Sequence, residues 1–180
     1  RDRSVSRGLG DVYKRQLHPH AITRTLHITI HVDNISNLAA ARGALGGLAS
    51  GYYIAADMPA ESGVTATHLL HPGSWTRTPL SSSPDSGIIE ADLQCFGLPS
   101  DHRGTPDENI LQLEMLLADG SGAVRYELKA GHLIKESSSP AGALSLELGL
   151  DRALPPRTDT GGMDVWFDDW DERLDLNLPL

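Results

Sequence analysis

TLHITIHVDNISNLAAARGALGGLASGYYIAAD, residues 25–57, decides the fold class. In its first part Leu26, Ile28, Ile30 and Val32 alternate with Thr25, His27, Thr29 and His31. A period of two marks a strand with one face in a core and the other in water. A Gly- and Ala-rich passage follows, then a second strand-like run over residues 52–56. Gly46-Gly47 marks a bulge or kink, and residues 43–51 read as a bend between sheets. The Ala content of residues 39–48 permits a short helix, but Gly43, Gly46 and Gly47 weigh against a long one. Nothing in the stretch resembles a catalytic motif.

Working outward, strand-like segments recur along the chain. Residues 64–70 are short and β-branched, and 75–78 form a weaker candidate. Residues 81–87, SSSPDSG, read as a loop, and 88–96 resume as a strand. Residues 110–118 and 123–128 make a hairpin around Asp119-Gly120. KAGHLIK, residues 129–135, is either one helical turn or a short crossing segment. Residues 144–150 alternate Leu144, Leu146, Leu148 and Leu150 with polar or small neighbours. Residues 163–167 and 174–178 form a last pair. The expected fold is all-β, a sandwich of about seven to nine strands, with turn signals at the spacing such folds show. No internal repeat points to a solenoid or propeller.

Composition narrows the function classes. A chain of 180 residues is expected to form one domain. With 2 Phe, 4 Tyr and 3 Trp, its core must rest on Leu, Ile, Val and Ala. No apolar run approaches the ~20 residues of a membrane helix. Residues 1–16, RDRSVSRGLGDVYKRQ, lack apolar periodicity and the apolar core of a signal peptide. They read as a non-native, adaptor-derived segment, leaving residues 17–180 as a single β-sandwich domain, the C-terminal part of a longer protein. The segment is basic, so the rest is more acidic than the overall net charge of −9. Such a charge repels nucleic acid and anionic membrane surfaces.

Few residues in the chain have the chemistry of a site, and each has a plainer role. Cys95 lies in the apolar run LQCFG and reads as a small buried hydrophobe, since one Cys makes neither a disulfide nor a Cys-based metal site. Asp168, Asp169, Asp171 and Glu172, within DDWDE, are weak candidates for Ca²⁺ ligation. They lack the spacing of an EF-hand loop, and a solvated turn is the stronger reading. His27 and His31 fall about 13 Å apart along one strand face, too far to share a metal. His18, His20, His68, His71, His102 and His132 show no recognisable ligand spacing, so exposed positions are the default for the histidines. No nucleophile or dinucleotide motif is present, and no enzyme activity or cofactor is expected.

The order of segments resembles the C-terminal part of a fimbrillin-associated family of Bacteroidetes surface lipoproteins, the anchor and tip subunits of type V pili and their relatives. It is carried by ITIHVDNISNL, ARGALGGLASGYYIA, IIEADLQCFGL, LQLEMLLADGSGAVRYEL and MDVWFDDWDERLDL in that order. The resemblance implies a transthyretin-like Greek-key β-sandwich and a role in cell-surface assembly and adhesion. It also implies an exported, outer-membrane location, with a signal peptide and acylated lipobox Cys upstream of this chain. The membrane would be met only through that lipid. No family functional residue is carried over, since the acylated Cys falls outside this sequence. The expected partners are other pilus or surface subunits, joined by β-strand addition, and host or glycan ligands. For that role, residues 25–32 or 174–178 are expected at a sheet edge. The alternative is a carbohydrate- or Ca²⁺-binding sandwich module, with Trp75, Trp166 and Trp170 available to stack on sugar rings.

Overall fold

A computed structural model of the chain describes residues 21–61, 65–81, 83–101, 108–136 and 143–158. In chain order the strands are β1 (Arg24–Asp33), β2 (Leu38–Ala49), β3 (Tyr52–Tyr53), β4 (Met58–Pro59), β5 (Thr65–Leu70), β6 (Thr76–Leu80), β7 (Ser83–Cys95), β8 (Ile110–Leu117), β9 (Ala123–Lys129), β10 (Ile134–Glu136) and β11 (Leu144–Gly149). Helical structure among the described residues is confined to three single 3₁₀ turns, at Ile35–Asn37, Pro72–Ser74 and Gly131–Leu133. The fold is all-β. No helix of the described residues is long and apolar enough to cross a membrane.

Two sheets share one core. The first runs β10-β11-β1-β7-β6 and the second β5-β2-β8-β9; β3 and β4 pair by themselves. The alternation of β1 does what its period requires. Leu26, Ile28, Ile30 and Val32 are each no more than 1% exposed, while His27, His31 and Asp33 face water. Against them pack Ile89, Ala91 and Leu93 of β7 and Leu144, Leu146 and Leu148 of β11. The second sheet contributes Leu38, Leu45 and Leu48 of β2, Leu111, Leu113 and Met115 of β8, and Tyr126 of β9. Cys95 is 2% exposed, and burial pushes its thiol pKa up, as a small core residue requires.

The structure corrects several expectations. Residues 25–32 are not at an edge: β1 lies between β11, its parallel neighbour, and β7, its antiparallel one. Parallel pairing with a strand so far away in sequence leaves no local signal, because the connection is a long crossover. The expected edge at residues 174–178 lies outside the described residues, as does the expected strand at 163–167. Residues 83–87 are strand and not loop. Their turn-forming composition is overridden because β7 pairs on both sides, Gly87 with Val32 and with Pro79, and Ser83 with Leu80. A Cβ at Gly87 would lie 2.5 Å from Ile35 Cδ1 and 2.8 Å from the Thr78 carbonyl oxygen. Glycine there lets Ile35 close the end of the core.

Residues 39–48 are strand, and 43–51 do not bend between sheets. β2 stays in one sheet and carries a register irregularity between Leu45 and Leu48, where the Gly-Gly pair sits. Of residues 52–56, only Tyr52 and Tyr53 pair as strand, with Pro59 and Met58. Within residues 129–135 the 3₁₀ turn Gly131–Leu133 carries the chain from β9 in one sheet to β10 in the other.

Residues 150–158 form a strap tied to the sandwich end. The Leu150 and Leu154 amides donate to the carbonyls of His31 and Asp33, each at 3.3 Å. Asn34 Nδ2 donates to Leu154 O at 2.5 Å, and the fully buried Asn37 donates to Pro155 O at 3.0 Å and to Asp119 Oδ2 at 3.1 Å. Asp119 also accepts from the Ser121 hydroxyl at 2.6 Å, the Ser121 amide at 2.9 Å and the Thr158 hydroxyl at 3.0 Å. These donors, the Ser121 hydroxyl first, hold the Asp119 carboxyl far below the usual carboxylate range.

A depressed folded-state pKa stabilises above the unfolded value of ~3.9 and ceases to do so as pH falls toward the folded value. Asp119→Asn is therefore expected to melt below the parent at pH 7, with the gap narrowing at about pH 2.5. Thermal midpoints of both proteins at the two pH values check this; an unchanged gap would contradict it.

Candidate functional site: the sheet edges and the polar face

The outward face of the first sheet carries the chemistry-bearing side chains of β1. His27 Nδ1 lies 2.6 Å from Asp92 Oδ1, and His31 Nε2 lies 3.0 Å from Glu147 Oε1. Gln94 Nε2 donates to Thr25 Oγ1 at 2.7 Å, and the Ser86 hydroxyl to Asp33 Oδ1 at 2.8 Å. These are exposed cross-strand pairs, which stabilise a sheet by a few tenths to about 1 kcal/mol each. A depression of about 420 Å³ on this face is lined by His27, Thr29, Thr76, Glu90 and Asp92 among others. Among the described residues no three His, Cys, Asp or Glu side chains come together as a metal site would need. His71 and His132 are exposed. His18, His20, His102, Trp166 and Trp170 lie outside the described residues, and so do Asp168, Asp169, Asp171 and Glu172.

His68 and Trp75 depart from expectation. Within β5, His68 sits opposite Leu45 of the core, so its ring enters the sandwich; burial lowers its pKa and favours the neutral form. Trp75 packs against the core and is half-buried. Neither His68 Nε2 nor Trp75 Nε1 meets a hydrogen-bond partner among the described residues, although both atoms are buried. Buried polar atoms are normally paired, and a third unpaired one, the Tyr126 hydroxyl, lies on β9 at the opposite edge of the same sheet, so these atoms alone single out neither side.

Among the described residues four strands end the two sheets, and an exposed strand edge templates pairing with another chain unless something blocks it. β6, TRTPL, carries Pro79 and Arg77. β9, AVRYELK, sets Arg125, Glu127 and Lys129 along its exposed face. β10 is three residues long, with Lys135 and Glu136 exposed. β5, TATHLL, has neither a proline nor a formal charge, and it exposes Leu69 to 50%.

Where β5 ends, the edge of β2 continues past it. β5 pairs with Gly43–Ala49 only, so residues 38–42 of β2 have no neighbour on that side among the described strands. A cleft opens there between the sheets, lined by Leu38, Ala40, Trp75, Arg77 and Ile89. Arg77 Nη1 bridges it by donating to Leu38 O at 2.5 Å. Sequence reasoning missed this edge. The lack of charge in TATHLL beside VRYELK is readable in the sequence, but which strands end the sheets is not.

No family model matches the chain, and none of the curated proteins matches it. Among solved structures, the chain is similar to a protein of Bacteroides ovatus described as a "putative adhesin", with a TM-score of 0.39 and 11% sequence identity. The alignment covers 75% of this chain and 50% of that one, so this chain spans half the length of the protein it matches.

Proposed function

We propose that this chain is a non-catalytic structural or adhesion protein of the cell surface, of the pilus anchor or tip kind, that receives an extended strand of a partner subunit at β5. The observation that carries this reading is the contrast among the four edges: three are blocked by proline, charge or shortness, and β5 is not. Natural sheets spend sequence on guarding their edges, so an unguarded one is the place where pairing is wanted. Strand addition draws affinity from main-chain hydrogen bonds and specificity from alternate side-chain pockets. The cleft beside β5, along the uncovered edge of β2, offers such a pocket. Export, an outer-membrane location and a lipid anchor upstream belong to the same reading. The acidic charge, −9 overall, suits a protein partner better than nucleic acid.

A random peptide library displayed on phage and selected on the immobilised full chain tests this. The expected winners are sequences of alternating apolar residues that compete with one another. They should lose binding to Leu69→Lys, which puts a charge on the exposed face of β5 while leaving the core intact. Winners without alternation, or with binding unchanged by Leu69→Lys, would refute the strand-addition reading.

A further inference from the structure

The opposite side of the sandwich holds a different kind of site. A cleft of about 620 Å³ lies between the start of β9 and the strap, lined by Val124, Arg125, Arg152, Leu154, Pro155 and Pro156 among others. No carboxylate lines it, although the chain is acidic overall. Arg125 spends its Nε on Glu114 Oε1, at 2.9 Å, and its side chain is otherwise 81% exposed. The Arg152 guanidinium lies over the Tyr126 ring, 5.5 Å from its centroid, and pairs with no carboxylate among the described residues. Tyr126 is itself 5% exposed, so the surface under Arg152 is fixed by the core. The strap that carries Arg152 is fixed as well, through the Leu150 and Leu154 amides and the side chains of Asn34 and Asn37.

We infer that this cleft binds a small organic carboxylate, with the uronic acids the class that fits it best. Guanidinium forks match carboxylates bidentately, and a guanidinium held on an aromatic ring loses little freedom when it binds. Two arginines supply the charge, and the apolar floor of Val124, Leu154, Pro155 and Pro156 suits the C–H face of a sugar ring. The volume is within the usual range of small-molecule sites, about 300–1,000 Å³. This inference is independent of strand addition at β5, which lies at the far edge of the same sheet.

The test follows backbone amide NMR shifts of the full chain titrated with D-galacturonic acid, with D-galactose and acetate as matched probes. Galacturonate is expected to shift amides of β9 and the strap with a millimolar dissociation constant, and at least about tenfold tighter than either probe. Arg152→Gln should weaken it by at least about tenfold, and Arg152→Lys, which keeps charge but loses the fork, by an intermediate factor. Arg152 is exposed, so both variants should fold, and unchanged thermal midpoints would show that they do. No shift at about 50 mM galacturonate, an equal response to galactose or acetate, or an affinity unchanged in Arg152→Gln would each overturn the assignment.

Discussion

Gly47→Ala is expected to destabilise the protein by about 3–5 kcal/mol, read as a drop in the urea midpoint at an unchanged slope. Two costs combine at this position. The backbone has φ +74°, in the left-handed region that costs residues other than glycine about 1–2 kcal/mol. The new methyl would also fall on the main chain of Glu108, against its carbonyl oxygen, and 2.8 Å from Asn109 Nδ2. Main chain moves less readily than a side-chain tip, and Asn109 is held, 2% exposed, by its bond to the Gly46 carbonyl at 3.2 Å. The relief of overlap must therefore come from breaking that clasp or shifting β2 against β8. Gly46→Ala is the control. Its methyl would find Thr67 Oγ1 at 3.6 Å and Ile110 O at 3.9 Å, ordinary contacts, and it should cost less than about 1 kcal/mol. Equal losses at the two glycines would refute the account.

The same pair shows how far sequence alone could reach. Two adjacent glycines in a strand announce a bulge, because little else explains them, and the irregularity of β2 falls there. The alternation of β1 announced which of its side chains enter the core, and all four of its apolar residues do. Strand order was not legible. Side-chain period tells which face is buried and says nothing of which neighbour lies alongside. β1 consequently looked like an edge when it is central, and β5 gave no hint of ending a sheet. The first residues of β7 were hidden for a related reason. Ser83, Asp85 and Ser86 have turn-forming chemistry, and pairing with the preceding strand β6 and, from Ser86 onward, with the distant β1 holds them extended. The arginine cleft was hidden more deeply still, since Arg125 and Arg152 line one cleft only where the strap passes the start of β9.

A row of charges across the second sheet carries the other large effect. Glu114 of β8 lies opposite Arg42 of β2 on one side and Arg125 of β9 on the other. Arg42 Nε donates to Glu114 Oε2 at 2.6 Å, and Arg125 Nε to Glu114 Oε1 at 2.9 Å. Burial alone would raise the Glu114 pKa, but the hydrogen bonds and charges of the two arginines outweigh it and leave the net shift downward. Glu114→Ala is expected to cost about 2–4 kcal/mol, the low part of the range for breaking a buried ion pair because one partner is exposed. The two arginines should share this unequally. Arg42, with a side chain 15% exposed, would keep a charge it can hardly hydrate, whereas Arg125, 81% exposed, would turn to water. A double-mutant cycle should give Glu114–Arg42 a coupling above about 1.5 kcal/mol and Glu114–Arg125 one below about 1 kcal/mol. Replacing Glu114 and Arg42 together by Leu should cost less than Glu114→Ala, since both members of the poorly hydrated pair then leave together. The sign with pH follows from the lowered pKa. Glu114 contributes fully above the unfolded value of ~4.3 and progressively less below it, so the gap between the parent and Glu114→Ala should narrow on acidification. A coupling to Arg125 as large as that to Arg42 would mean that the exposed arginine is held far more tightly than its solvent contact implies. Arg125 would then be tied to Glu114 too firmly to serve the neighbouring cleft.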